Sequence, residues 1–187
     1  PTRAQLMTGQ YPFRNGWPML IGTRPRDEQV FEPELPQIGR IMSEAGYATA
    51  VAGKWQMARF DEHPNHAAEC GFDEHCLWTW QVPDTPDWVR KEGEGKPSRF
   101  WDPGIWQNGE LRAHTEGRFG PDIFTEFLLE FAERNREDPF FAYFPMALTH
   151  WPFVPTPGTP GDPDGTRANP RAQENFELMV AYMDELV

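Results

Sequence analysis

The chain has little of several things. Only two cysteines, Cys70 and Cys76, stand among its 187 residues. That is too few for a disulfide-built scaffold; they could form one small bridge or stay reduced. Basic charge is also scarce: 17 Lys and Arg face 29 Asp and Glu, for a formal net charge of −12. Nucleic acid and anionic membrane surfaces both call for a basic face, so neither is expected as a partner. No apolar run approaches the ~20 residues of a membrane-spanning helix. The longest, Phe140 to Leu148, has strand length. There is no internal repeat and no low-complexity run. The first residue is Pro1, not methionine, so a processed product or a piece of a longer protein is expected, and a missing leader says nothing about compartment.

What is present points to a folded chain. The apolar share is 39% and the aromatic share 14%, with eight Trp and fourteen Phe, too much for a disordered acidic segment. The length suits about one domain. A short helix is expected over Thr2 to Gly9, then loop from Trp17 to Pro33. Leu35, Ile38, Ile41, Met42 and Ala45 recur at helical steps, with Pro36 in the first turn and Gly46 just past the last. Tyr47 to Ala52 reads as a buried strand ending at Gly53. Residues 59–120 read as mostly loop with short strands, a loop-rich insertion. Ile123, Phe124, Phe127, Leu128 and Phe131 mark a helix begun by Pro121 and stopped at Asp138-Pro139. Phe140 to Ala147 reads as a buried strand, 149–170 as loop, and Phe176, Met179, Val180, Met183 and Leu186 as a last helix. Alternating helices and strands predict an α/β fold with a largely parallel central sheet flanked by helices.

In such sheets ligands sit outside the carboxyl ends of the strands. Lys54 falls just past the first strand and His150 just past the second. Arg3 lies in the first turn of the first helix, where free N–H groups also favour anions. Two cations and an imidazole so placed could converge on a tetrahedral oxyanion. Taken one at a time, each is more often a solvated or structural residue.

The motifs themselves resemble a known family. Pro1-Thr2-Arg3-Ala4-Gln5-Leu6-Met7-Thr8-Gly9 is similar to the second half of the sulfatase signature, Cys-x-Pro-x-Arg followed by a helix and Thr-Gly. Gly46-Tyr47-Ala48-Thr49 and then Gly53-Lys54-Trp55 resemble the second signature. Gly71-Phe72-Asp73 and Thr149-His150-Trp151-Pro152 resemble shorter markers, in family order. The resemblance implies a slice of a single sulfatase catalytic domain, truncated at both ends, with the alkaline-phosphatase-like fold. It implies sulfate-ester hydrolysis to an alcohol and inorganic sulfate through a formylglycine hydrate, made by a formylglycine-generating enzyme from a residue two before Pro1. Arg3 then matches the residue that orients the hydrate, Lys54 the one that bridges nucleophile and sulfate, and His150 the one at the leaving oxygen. Gln56 and Trp151 would line the substrate side. Gln56 stands where the family usually has His, and an amide cannot act as a base. The family's metal is calcium, with ligands expected outside this chain and none within it. A sulfated small molecule or sulfated glycan is the implied substrate, and a periplasmic or extracellular location the implied address. The 187 residues alone are expected to be inactive.

Rival readings remain. Phosphonate monoester or phosphodiester hydrolysis uses the same tetrahedral chemistry, and a homologue without the nucleophile would only bind glycans. His63, His66, Cys70, His75 and Cys76 are dense enough for a zinc site, but their spacing matches no common finger. The tryptophans between Trp78 and Trp106 either anchor the insertion to the core or stack on sugar rings.

Overall fold

The computed structural model describes residues 2–19, 25, 29–80, 85–92, 96–161 and 170–187. Parts of the loops expected at 17–33 and 149–170 lie outside these. In chain order the elements are α1 (Thr2–Thr8), α2 (Pro12–Asn15), α3 (Ile38–Glu44), β1 (Ala48–Lys54), α4 (His66–Glu69), β2 (Glu74–Trp78), β3 (Lys91–Glu92), β4 (Lys96–Pro97), β5 (Ile105–Gln107), β6 (Glu110–Leu111), α5 (Gly120–Arg134), β7 (Phe140–Tyr143) and α6 (Ala172–Leu186). The main sheet runs β6-β5-β2-β1-β7. Strands β2, β1 and β7 are parallel, and β5 and β6 add an antiparallel edge.

β1 is the axis of the molecule. Its five interior residues, Thr49 to Gly53, are all buried, as expected for a strand covered on both faces. Helices α3 and α5 pack against it, and its side chains are small where they do. The helical face of α5 buries Ile123, Phe124, Phe127 and Phe131. Thr49 ties β1 to the turn before β2: its N–H donates to Asp73 Oδ2 at 2.9 Å, and the Asp73 N–H donates to Thr49 Oγ1 at 2.9 Å. The Gly-Tyr-x-Thr and Gly-Phe-Asp motifs therefore meet in one clamp that sets the β1–β2 register.

Several expectations change. α3 starts at Ile38 after Gln37 at the cap, so Pro36 lies before the helix; its missing N–H is needed by no turn there. Gly46 does take the left-handed φ of +87°. Lys54 closes β1 rather than following it. β7 ends at Tyr143, four residues before the expected limit, and it is only half-buried; among the described residues it pairs on one side only, with β1. Within 59–120, β2 is a buried central strand, although the surrounding Pro, Gly and Asp mask it in the sequence. α2 carries too few residues for any periodicity to announce it.

The tryptophans are anchors where contacts are seen. Trp78 and Trp80 are buried. Trp101 Nε1 donates to the Pro155 carbonyl at 2.7 Å, and Trp106 Nε1 donates to that of Pro64 at 2.9 Å while its ring stacks on Phe60. Cys70 and Cys76 are both free thiols, and burial pushes the pKa of each up to about 12. Among the described residues no group of three or more His, Cys, Asp or Glu could hold a metal ion.

His66 is instead a core residue. Trp55 Nε1 donates to His66 Nδ1 at 3.0 Å, which leaves the proton on Nε2, 2.7 Å from the Phe31 carbonyl. Burial holds its pKa down to about 4, and burial does the same for His75. Between that value and the ordinary ~6.5 the unfolded chain binds protons that the folded one does not. Stability therefore falls as pH drops from about 6.5 toward 4. The thermal midpoint of the full-length protein should fall over that window, and the fall should be shallower in His66→Gln. Equal slopes in the two would remove His66 as the cause.

Candidate functional site

The carboxyl ends of β1, β2 and β7 lie side by side. Lys54 and Trp78 are register partners across the β1–β2 pair. The chain leaving β7 passes close to the end of β1, where the Lys54 N–H donates to the Pro145 carbonyl at 2.7 Å. This approach needs Gly53, whose φ is +111° and where an added Cβ would lie 2.4 Å from the Pro145 carbonyl oxygen. The same segment goes on through Ala147 to His150, whose N–H donates to the Ala147 carbonyl at 3.3 Å.

Arg3 comes to this edge from α1. Its Nε donates to the Trp55 carbonyl at 2.6 Å, and its Nη2 donates to Gln56 Oε1 at 3.1 Å. Trp55 is in turn fixed by His66, so the Gly-Lys-Trp turn is braced from the core. Gln56 has a φ of +53°, a left-handed conformation that a residue without a short polar side chain adopts at some cost. That turn brings its amide to Arg3. Two of the five guanidinium N–H groups are used, and the plane of the group is held. These contacts place the guanidinium of Arg3, from the first turn of α1, at the site.

Among the described residues, the charges that shift Lys54 and His150 are positive. Burial, then Arg3, then Arg99 lower the Lys54 pKa to about 7. Burial lowers that of His150 to about 4, with Arg99, Lys54 and Arg3 pushing the same way and the Trp151 carbonyl opposing them. Burial raises the Tyr143 phenol while Arg3 draws it back. Gathering cations out of water is unfavourable unless opposite charge joins them. Such an arrangement fits an anion that enters later.

Arg3, Gln56, Lys54 and His150 are thus brought to one edge of the sheet. Trp151 contributes its carbonyl oxygen, 2.5 Å from His150 Nδ1. No motif points to two further members, Tyr143 and Arg99. Tyr143 ends β7, so its place at a strand end is the one signal that marks it. Arg99 sits in the loop-rich stretch with no motif around it.

The family profile for Sulfatase matches residues 1–187. The chain belongs to the sulfatase family. Among sulfatase relatives, an N-acetylglucosamine-6-O-sulfatase of Bacteroides thetaiotaomicron is 25% identical over 158 residues, covering 84% of this chain and 23% of that protein. An arylsulfatase of Hemicentrotus pulcherrimus is 31% identical over 163 residues, covering 80% of this chain and 28% of that protein. The crystal structure of Ps i-CgsB in complex with k-i-k-neocarrahexaose matches all of this chain with a TM-score of 0.68 and 21% identity, over 42% of its own length. The fold is the α/β fold of sulfatases, and this sulfatase chain spans about a quarter of the length of these two curated relatives. No helix among the described residues is long and apolar enough to cross a membrane.

Proposed function

We propose that the full-length protein hydrolyses sulfate esters and that Arg3, Lys54 and His150 carry the chemistry from this chain. One observation supports this above the others: the side chains expected from the family motifs gather at the carboxyl edge of the sheet, close enough for Arg3 to lower the Lys54 pKa and for Lys54 and Arg3 to lower that of His150. Formylglycine, as the hydrate, would supply the oxygen that attacks sulfur, and it would come from a residue outside this chain, through a formylglycine-generating enzyme. The residues of this chain bind, orient and donate. Arg3, held by Trp55 and Gln56, is a fixed donor plate for the nucleophile's oxygens. Lys54 places an ammonium against the sulfuryl oxygens, where charge grows in the transition state. His150 stands by the leaving oxygen as hydrogen-bond donor. Burial, helped by the neighbouring cations, holds the ring neutral at ordinary pH, so the proton it offers is the one a neutral imidazole already carries.

Gln56 lines the nucleophile's side and accepts from Arg3. It cannot take up a proton near neutral pH, so it cannot serve as a base there. Calcium belongs to this proposal only for the full-length protein. Among the described residues no group of three or more His, Cys, Asp or Glu fits it. The strong net negative charge repels polyanions at a distance, which favours a small or sparsely sulfated sugar, in keeping with the relative named as an N-acetylglucosamine-6-O-sulfatase. A periplasmic or extracellular address goes with this reading.

The test is a comparison on the full-length protein between 4-nitrophenyl sulfate and a phenylphosphonate monoester. Sulfate-ester kcat/KM should exceed the phosphonate value by at least about 100-fold, some 2.7 kcal/mol of transition-state preference. The reverse order would transfer the site to phosphoryl chemistry. Activity on neither, with tight glycan binding, would mark a non-catalytic homologue.

A further inference from the structure

Arg99 lies outside every motif that resembles the family, yet it makes a close contact to His150. Its Nη1 is 2.7 Å from His150 Nδ1. The residue is buried, 8% exposed, and its guanidinium lies over the Trp78 ring, 4.3 Å from Cζ to the ring centroid. Trp78 is the register partner of Lys54, so the sheet edge itself holds the guanidinium's stacking surface. The flanking backbone is pinned as well. The Ser98 N–H donates to the Arg90 carbonyl at 2.6 Å, and the Gly120 N–H, at the start of α5, donates to that of Phe100 at 2.7 Å. The Phe100 N–H donates to Ser98 Oγ at 3.0 Å.

A guanidinium has only donors. At 2.7 Å it therefore requires a lone pair on His150 Nδ1, which leaves the ring proton on Nε2. The Trp151 carbonyl oxygen sits 2.5 Å from the same nitrogen, and it has only lone pairs. One nitrogen cannot serve both. A charge-assisted bond is about twice as strong as a neutral one, so the Arg99 contact decides and the carbonyl is the alternative partner. We infer that Arg99 is a positioning residue: it selects the Nε2–H tautomer of His150 and so keeps that ring's donor for the leaving oxygen. Without Arg99 the proton moves to Nδ1, where it is bonded to the Trp151 carbonyl, and Nε2 can only accept.

The inference rests on the sulfatase reading for its consequence but not for its geometry, and the experiment separates the two. The full-length protein is labelled with 15N-histidine, and His150 is assigned from the signal lost in His150→Gln. Without substrate, the wild type should show a bare Nδ1 and a protonated Nε2. Arg99→Ala should show the opposite tautomer, while Arg99→Lys, which keeps a donor, should hold the wild-type form. With substrate, Arg99→Ala should lose at least about tenfold in kcat, with a smaller change in KM, and Arg99→Lys should recover part of it. A protonated Nδ1 in the wild type, or an unchanged tautomer in a folded Arg99→Ala, overturns the inference. A tautomer that switches in a protein that releases no sulfate leaves Arg99's role standing and removes the sulfatase reading instead.

Discussion

Lys54→Met in the full-length protein should lower sulfate-ester kcat/KM by about 1,000-fold, the scale of losing one preorganised charge at a developing oxyanion. The fold should not suffer. Methionine keeps much of the length of the side chain and removes a cation that sits against Arg3 and Arg99. The direction with pH follows from the lowered pKa. The folded state releases its Lys54 proton near pH 7, and the unfolded one near the ordinary ~10.4. Below pH 7 the charged Lys54 therefore weighs fully against folding, and this penalty fades as pH rises through that window. At about pH 6.5 Lys54→Met should melt at or above the wild-type temperature, with the gap closing by about pH 10. A variant that loses activity and melts far lower would make Lys54 structural.

Gly53→Ala should damage the fold strongly. The φ of +111° is one an L side chain rarely adopts, and the new methyl would be pressed against the Pro145 carbonyl, 2.4 Å away. That oxygen is backbone and is already bonded to the Lys54 N–H, so it cannot swing aside without freeing the end of β1. A cost on the order of 3 kcal/mol is expected, at the upper end for a single substitution. It should be read from denaturant midpoints at unchanged m-value. Because the same contact aims Lys54, whatever Gly53→Ala protein still folds should show reduced activity. A loss under about 0.5 kcal/mol would mean that the close approach of the two strand ends is not tight.

Much of this edge is legible in the order of the residues alone, and the reasons are local. Helices α5 and α6 repeat their apolar residues at helical steps, and β1 is a run of small and β-branched residues between two glycines. Arg3, Lys54 and His150 sit in short motifs whose order is itself informative. What stays hidden depends on distant pairings. β2 is buried because β1 and β5 flank it, and nothing in Glu74–Trp78 alone says so. Arg99 becomes significant only through Trp78 beneath it and His150 beside it, both far away along the chain. The dense His and Cys residues mislead in the opposite way: nearness in sequence suggests ligands, whereas His66 is turned inward to Trp55 and Phe31.

The edge also explains how a chain of net charge −12 can present an anion site. Local geometry outweighs net charge at short range, because half-buried cations act through little water while distant carboxylates are screened within about 10 Å at ordinary salt. The most direct measurement is a calorimetric titration of the full-length protein with inorganic sulfate at about pH 6.5, where Lys54 still carries its proton, alongside Lys54→Met. Sulfate should bind the wild type at one site per chain and should not bind the folded variant. Equal binding to the two proteins, or none to either, would contradict a site built by Arg3, Lys54 and His150 for a sulfuryl group.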